Sequence, residues 1–397
     1  MSEGRQNSRV KEVLMDRIER AWATVRGMRP IIEEYRAEGD RLRRLPDAIA
    51  RAFFDADVFR LLLPPELGGQ DIDPITFYDL VEEISSYDGS VGWNYSLGIT
   101  SSITVGDLPI EHYRRIYATP DCCVAGSASP PGRAVADKDG YRLTGRWAWA
   151  SGIHQSKWIT LNAFLYDGDK PRTDPRGMPQ ALWFVVPKDA GTVLDTWHTG
   201  GMRGTGSTEF ELTNAFVAAE MGTHPFPENP NAPYPILRMP PTFLGFNHVC
   251  ALTGIAKSAI NALKALGGKV SMMGGSLRDN PQTHYAVAKA EAMIESCDLS
   301  IKEAFRPLWA KVVAGERPSA EMRARVHRAV ALGTESAQQA VQLCYTAAGG
   351  TAIFESAPFE KALRDVNAAA SHITLRRIFM EESGRVAFGI APQNPFF

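Results

Sequence analysis

Apolar positions recur every three to four residues from about residue 8 to residue 118. Leu14, Ile18, Ala21 and Val25 come first, then Ile31, Ile32 and Tyr35, then Ala48, Ile49, Ala52, Phe53 and Val58. That period predicts amphipathic helices. Pro64-Pro65 and Gly68-Gly69 interrupt the pattern before a helix expected over Thr76–Ser86. The run through Val91, Trp93, Tyr95, Leu97 and Ile103 has too few charges for a solvated face and is expected to be buried. Near Pro120 the texture changes. Between Val124 and about Val217, short stretches rich in Val, Leu, Trp, Tyr and Thr are cut by turn residues, as in Gly140–Trp149, Trp158–Tyr166 and Ala181–Val186. With no helical stretch between them, they predict an antiparallel β region. A Pro-rich connector follows over Pro225–Pro241, of a kind that often serves as a lid or domain link. Helical periodicity then returns from Thr242 to Phe388, with Val249, Leu252, Ile255, Ala256, Ala259, Ile260 and Leu263 on one face. The expected organisation is α+β in three parts: a helical domain over 1–119, a β domain over 120–225 and a second helical domain over 226–397.

Composition narrows the function. A chain of 397 residues, 44% hydrophobic, can bury the cores of two or three domains. A formal net charge of −2 leaves no basic surplus for nucleic acid. No apolar run reaches the roughly 18 residues a bilayer span needs, and the first residues are too charged for a secretory signal. Cys122, Cys123, Cys250, Cys297 and Cys344 are odd in number and lack a CxxC pair, so a reducing cytoplasm is expected and a disulfide framework is not. The histidines show no metal-binding spacing, so no metal is expected. No GxGxxG follows a strand, so no nicotinamide site is expected either.

Three segments carry more specific information. Ala125-Gly-Ser-Ala-Ser129 is followed by Gly145-Arg-Trp-Ala-Trp-Ala-Ser151-Gly152. Trp197-His-Thr-Gly-Gly-Met-Arg-Gly-Thr-Gly-Ser207 precedes a strand-like Glu209-Phe-Glu-Leu-Thr. Near the C-terminus stand Gly349-Gly350, Arg364-Asp365, His372 and Gly384-Arg385. Together these resemble the acyl-CoA dehydrogenase fold, and within it the oxygenase components of two-component flavin-dependent monooxygenases, including those acting on p-hydroxyphenylacetate, secosteroid phenols and dibenzothiophene. The resemblance runs from about residue 10 to the C-terminus and implies that the C-terminal domain is a four-helix bundle. It also discriminates. Acyl-CoA dehydrogenases carry a Glu some eight residues past Arg-Asp to remove an α-proton. Here that place reads Ser371-His-Ile-Thr, with Ile373 near the lost carboxylate and His372 matching the histidine of the monooxygenases.

What the resemblance implies is reduced flavin, FMNH2 or FADH2, reacting with O2 to a C4a-hydroperoxide that oxygenates an aromatic or heteroaromatic small molecule. A separate NAD(P)H-flavin reductase would supply the reduced flavin, and the assembly would be a homotetramer. Ser151 matches the serine at the flavin N5 region. Ser127, Ala128 and Ser129 match the loop at the pyrimidine, and Trp149 and Ala150 the stretch beside the rings. Gly349 and Gly350 match the Gly pair through which the flavin's phosphate side, or a neighbouring subunit's flavin, approaches backbone. Arg278 lies near a phosphate-binding arginine. His372, with an ordinary pKa near 6.5, would take a hydrogen bond or proton from a substrate O–H or N–H. For Arg203 a structural role linking the β domain to the pocket is expected. Trp93, Tyr95, Phe243 and Phe246 are candidates for an apolar substrate pocket. Thr100 stands where phenol-hydroxylating relatives often have a second histidine, which leaves indole-like, N- and S-acceptors open beside phenols. A dehydrogenase with a relocated base and a catalytically silent ligand-binding relative are the rival readings.

Overall fold

The computed structural model describes residues 2–105, 108–175, 177–224, 234–270, 275–394 and 396–397. The N-terminal helices are α1 (Ser2–Gly27), α2 (Arg29–Leu42), α3 (Asp47–Asp55), α4 (Pro74–Tyr87), α5 (Gly89–Thr104) and α6 (Ile110–Ile116). Local chemistry sets their starts. Asp73 accepts hydrogen bonds from the backbone N–H groups of Ile75 (2.9 Å) and Thr76 (3.1 Å), with Pro74 in the first turn of α4. Asp88 ends α4 and caps α5 by accepting from Val91 N–H at 3.0 Å. The expected helix at Thr76–Ser86 and the buried run through Val91–Ile103 are these two elements.

The strands are β1 (Val124–Asp137), β2 (Gly140–Trp147), β3 (Trp158–Asp167), β4 (Lys170–Pro171), β5 (Ala181–Pro187), β6 (Thr192–Leu194), β7 (Glu209–Ala218) and β8 (Gly222–Thr223). They form one sheet in the order β6-β7-β2-β1-β3-β5-β8, with β4 beside β3. The expectation of a purely antiparallel region is corrected here. β1 and β3 run parallel, with Val124 opposite Trp158 and Val135 opposite Tyr166. The β1–β2 hairpin turns β2 away toward β7, so the chain must cross back over the end of β1 to reach its other edge. That crossing, residues 148–157, is where the site is built.

The C-terminal helices are α7 (Thr242–Ala265), α8 (Pro281–Val313), α9 (Ala320–Ala348), α10 (Pro358–Ala370) and α11 (Ile378–Ala387). α7 to α10 pack as a bundle, and α11 lies on α9. α7 is long and apolar enough by composition to cross a bilayer, yet it is the bundle's core helix, buried along most of its length. Helices on either side of the sheet in sequence share one core: Tyr78 of α4 meets Phe246 of α7 (ring centroids 5.1 Å apart), and Phe246 stacks on Phe305 of α8 (3.8 Å). α4 and α5 approach closely at Gly92, where any Cβ would lie 1.9 Å from Ser85 Oγ. All five cysteines are buried and unpaired. Residues 225–233 of the Pro-rich connector lie outside the described residues.

Candidate active site

The crossing loop Ala148-Trp149-Ala150-Ser151-Gly152 is fixed by its backbone. Ala148 N–H donates to Ser129 O (2.9 Å), Ala150 N–H to Thr208 O (3.0 Å) and Gly152 N–H to Thr205 O (3.2 Å). The Ser127 hydroxyl donates to Ala148 O. Within this frame Trp149 takes a φ of +60°, a left-handed conformation that costs a residue with a side chain about 1–2 kcal/mol. Its indole is 61% exposed. A large ring held open on a strained backbone gains little packing in this chain and suits stacking on a planar ligand.

Ser151 turns inward and is buried. Its Oγ accepts from Trp93 Nε1–H (3.3 Å) and lies 2.6 Å from Ser207 Oγ. Ser207 Oγ is in turn 2.6 Å from Thr205 Oγ1, whose hydroxyl donates to Met202 O at 2.8 Å. An indole N–H can only donate and a carbonyl only accept, so the protons point one way, from Trp93 through Ser151, Ser207 and Thr205 to Met202. Ser151's own proton is thereby committed to Ser207, and its oxygen keeps one lone pair free. That lone pair suits a ligand N–H.

Trp93 also reaches the imidazoles. Its ring stacks on His248 of α7 (centroids 4.9 Å, 29° between planes) and meets His372 edge-on (5.5 Å, 67°), and the two imidazoles are 4.1 Å apart. His372 does not sit within a helix, as its surroundings suggested. α10 ends at Ala370, and His372 caps the 3-10 turn Ile373–Leu375, with Nδ1 accepting from Thr374 N–H at 3.4 Å. Thr374 Oγ1 lies 2.9 Å from His372 Nδ1 and 2.9 Å from His248 Nδ1. Burial pushes the His372 pKa down to about 4, and the residue as a whole is half-buried. Burial, and then the neighbouring His372, hold His248 well below the usual imidazole range. Both rings are therefore neutral at pH 7. Among the described residues no Asp or Glu is paired with either ring, whose hydrogen bonds run to Thr374.

Residues 247–377 match the family model for the acyl-CoA dehydrogenase C-terminal domain. Indole-3-acetate monooxygenase of Pseudomonas putida is 29% identical over 363 residues, covering 89% of this chain and 90% of that protein. The HsaA oxygenase subunit of a flavin-dependent monooxygenase from Rhodococcus jostii is 27% identical, covering 86% and 91%. Among solved structures, XiaF from Streptomyces sp., in complex with FADH2 and glycerol, superposes with a TM-score of 0.88 at 24% identity, covering 98% of this chain and 99% of that one. The chain has the acyl-CoA dehydrogenase fold. Among the similar proteins are ones named as a flavin-dependent monooxygenase oxygenase subunit and as the oxygenase component of an FADH2-dependent resorcinol hydroxylase.

In this acyl-CoA dehydrogenase fold, Arg364 and Asp365 clamp the three parts of the chain together. Asp365 accepts from Met202 N–H (2.6 Å) and pairs with Lys361 (2.5 Å), which also reaches Asp88 (2.9 Å). Arg364 pairs with Asp40 (2.8 Å) and donates to Gly200 O (2.8 Å). Arg203 donates to the backbone of Asp40 in α2 (3.0 Å) and of Thr199 (3.2 Å), so it ties its turn to the N-terminal helices. The clamp sets the Met202–Ser207 turn against Ser151, and so ties α10 to the crossing loop.

The structure brings Trp93, Ser151 and His372 together, with Trp149 and Ala150 on the same loop and Ser127, Ala128 and Ser129 along its flank. Thr100 lies further along α5 and is buried. It accepts from Asn247 Nδ2 (3.2 Å), the neighbour of His248, and donates to Ser96 O (2.9 Å). Of the other pocket candidates, Tyr95 packs edge-on against Phe53 (5.6 Å), Phe246 stacks on Phe305 (3.8 Å) and Phe243 meets Phe305 at a tilt (5.9 Å), all of them enclosed in the core. Their periodic positions marked them as buried without saying which cavity, if any, they face. Arg278 is exposed on the turn Leu277–Asp279, apart from this cluster. Gly349 caps α9 with φ +60°, and it and Gly350 have open space around them. His248, Thr374, Ser207 and Thr205 escaped the sequence reading. The available signal was the polar pair Asn247-His248 breaking an otherwise apolar stretch of α7.

Proposed function

We propose that this chain is the oxygenase component of a two-component flavin-dependent monooxygenase that hydroxylates an aromatic or heteroaromatic small molecule. The observation that carries the reading is the His248–His372 imidazole pair, paired with no carboxylate among the described residues and in ring contact with Trp93, whose N–H reaches Ser151. The residues present fit a reduced flavin. Trp149 offers an open ring face, and Ser151 offers an acceptor lone pair that the N5–H of a reduced isoalloxazine would use and the bare N5 of an oxidised one would not. Ser127 and Ser129 brace the loop that carries both, and Ala128 between them is held to β3 by Asn162. The flavin would supply the activation of O2 and the oxygen transferred. The chain's own work is to bind and orient flavin and substrate, and to keep water out with the buried Trp93, Ile153 and Ala150. The histidine pair would accept a proton from the substrate O–H or N–H, raising the electron density of its ring.

The name of the P. putida relative and those of the resorcinol and pigment-production hydroxylases favour phenol- or indole-like substrates. A reductase partner follows from the "oxygenase subunit" and "oxygenase component" naming of the relatives. We extend the proposal to a cytoplasmic homotetramer through the C-terminal helices, where Leu299, Leu332, Ile353 and Phe354 are exposed apolar residues. Gly349, Gly350 and Arg278 would then meet a neighbouring subunit's flavin. Turnover with NADH, a flavin reductase, FMN or FAD and a panel of phenols and indoles tests the reading. Hydroxylated product that requires reduced flavin supports it. Anaerobic bleaching of the flavin by an acyl-CoA, with no oxygenated product, would replace it with a dehydrogenase.

A further inference from the structure

His248 is 3% exposed in the middle of α7, and its Nε2 has no hydrogen-bond partner. An imidazole nitrogen buried in this way is unfavourable unless something arrives to meet it. Its other nitrogen, Nδ1, is tied through the Thr374 hydroxyl to Nδ1 of His372. A hydroxyl carries one proton, so Thr374 donates to one ring and accepts from the other, and the two rings must hold opposite tautomers. One contact selects the order. Thr374 N–H is directed at His372 Nδ1, which marks that nitrogen as an acceptor. Hence His248 Nδ1–H donates to Thr374, Thr374 O–H donates to His372 Nδ1, and the bare nitrogen of the pair is the buried His248 Nε2.

We propose that His248 is a further catalytic residue, accepting the substrate's proton at Nε2, and that Thr374 and His372 relay that proton to solvent. The proposal rests on the oxygenase reading and deepens it. A proton leaves the substrate O–H or N–H, whose bonding pair stays on that atom, and bonds to His248 Nε2. The Nδ1 proton of His248 moves to Thr374 Oγ1 as the hydroxyl proton moves to His372 Nδ1. The Nε2 proton of His372, the half-buried member of the pair, leaves to water. Both rings end neutral with their tautomers exchanged, so no cation persists on the enclosed His248. Run in reverse, the chain returns a proton to the site and restores its starting state. The ionisable groups acting on the pair are the two rings themselves. Such a relay selects substrates that carry an acidic O–H or N–H, phenols and azoles, over thioethers.

The test compares Thr374→Val, which removes the hydroxyl at constant shape, with Thr374→Ser, which restores it, and with His248→Asn. The first readout needs no flavin: long-range 15N–1H spectra of the full chain labelled at histidine. The wild type is expected to show one Nδ1–H and one Nε2–H ring in the pair, assigned by their loss in His248→Asn and His372→Gln. Thr374→Val should collapse this into mixed tautomers, and Thr374→Ser should keep it. The second readout is hydroxylation of a phenol with a flavin reductase. Thr374→Val and His248→Asn are expected to lower kcat at least tenfold with flavin affinity retained, and Thr374→Ser to recover it. Identical tautomers in Thr374→Val, or unchanged kcat in both Thr374→Val and His248→Asn, would overturn the relay. If Thr374→Val fails to fold, His248→Asn decides. Absence of oxygenation by the wild type would strike the oxygenase reading instead, a result the flavin-free spectra separate from failure of the relay.

Discussion

Ser151→Ala is the substitution whose consequences can be worked out most fully. The methyl occupies the same place, so packing is retained. The hydroxyl's loss deprives Trp93 Nε1–H of its 3.3 Å acceptor and releases Ser207, which keeps its 2.6 Å contact with Thr205. A buried donor left unsatisfied costs about 1–3 kcal/mol, and the length of the Trp93 contact places the loss at the lower end, about 1 kcal/mol of fold stability. The effect on ligand binding follows from the direction of the hydroxyl chain. Ser151 accepts from a ligand N–H and has no proton to spare, so reduced flavin should lose about 1 kcal/mol, roughly a fivefold weakening. Oxidised flavin, which presents an acceptor at N5, should bind about as before. Anaerobic fluorescence titration with dithionite-reduced and with oxidised FMN and FAD measures both affinities. Equal losses for the two redox states, or none for either, would refute the one-way chain and leave Ser151 as a loop brace.

Two other perturbations report on the frame around the site. Lys361→Met leaves Asp88 and Asp365, whose side chains are 3% and 2% exposed, as two buried carboxylates without their shared cation. Urea unfolding at pH 7 should show a loss of about 3–5 kcal/mol, and a loss below about 1 kcal/mol would contradict the clamp. The His372 imidazole, held at about 4 against 6.5 when unfolded, binds fewer protons in the native state between those values. Stability present at pH 7 is therefore lost as pH falls from about 6.5 to 4, by at most about 3 kcal/mol and by less for a partly wetted ring. His372→Gln should make that part of the profile shallower, the rest of the slope coming from His248 and His327, and an unchanged slope in denaturant midpoints between pH 7 and 4.5 would count against the burial.

The segments of the candidate site legible in the sequence were short local words: Ser127–Ser129, Trp149–Ser151, and His372 past Arg364-Asp365. Alternation in β1 and β3 marks strands but carries no direction, and the parallel pairing follows from where the β2–β7 contact sends the chain. Aromatics at Tyr95, Phe243 and Phe246 fit both a pocket and a core by spacing, and packing against Phe53 and Phe305 puts them in the core. His372 reads as helical because Ala368-Ala-Ala-Ser371 propagates α10 up to it. The turn at Ile373–Leu375, set by the His372 cap on Thr374, is what aims the ring inward. His248 could not be read as functional from α7 alone. Its partner lies 126 residues away and becomes visible only when Thr374 stands between the two rings.

Labelled oxygen tests the central claim most directly. With reductase, NADH, flavin and an accepted phenol or indole under 18O2, the account predicts one 18O atom in each hydroxylated product, by mass spectrometry, and none when 16O2 is used in H2 18O. Product oxygen drawn from water, or substrate desaturated without any oxygen gained, would contradict it.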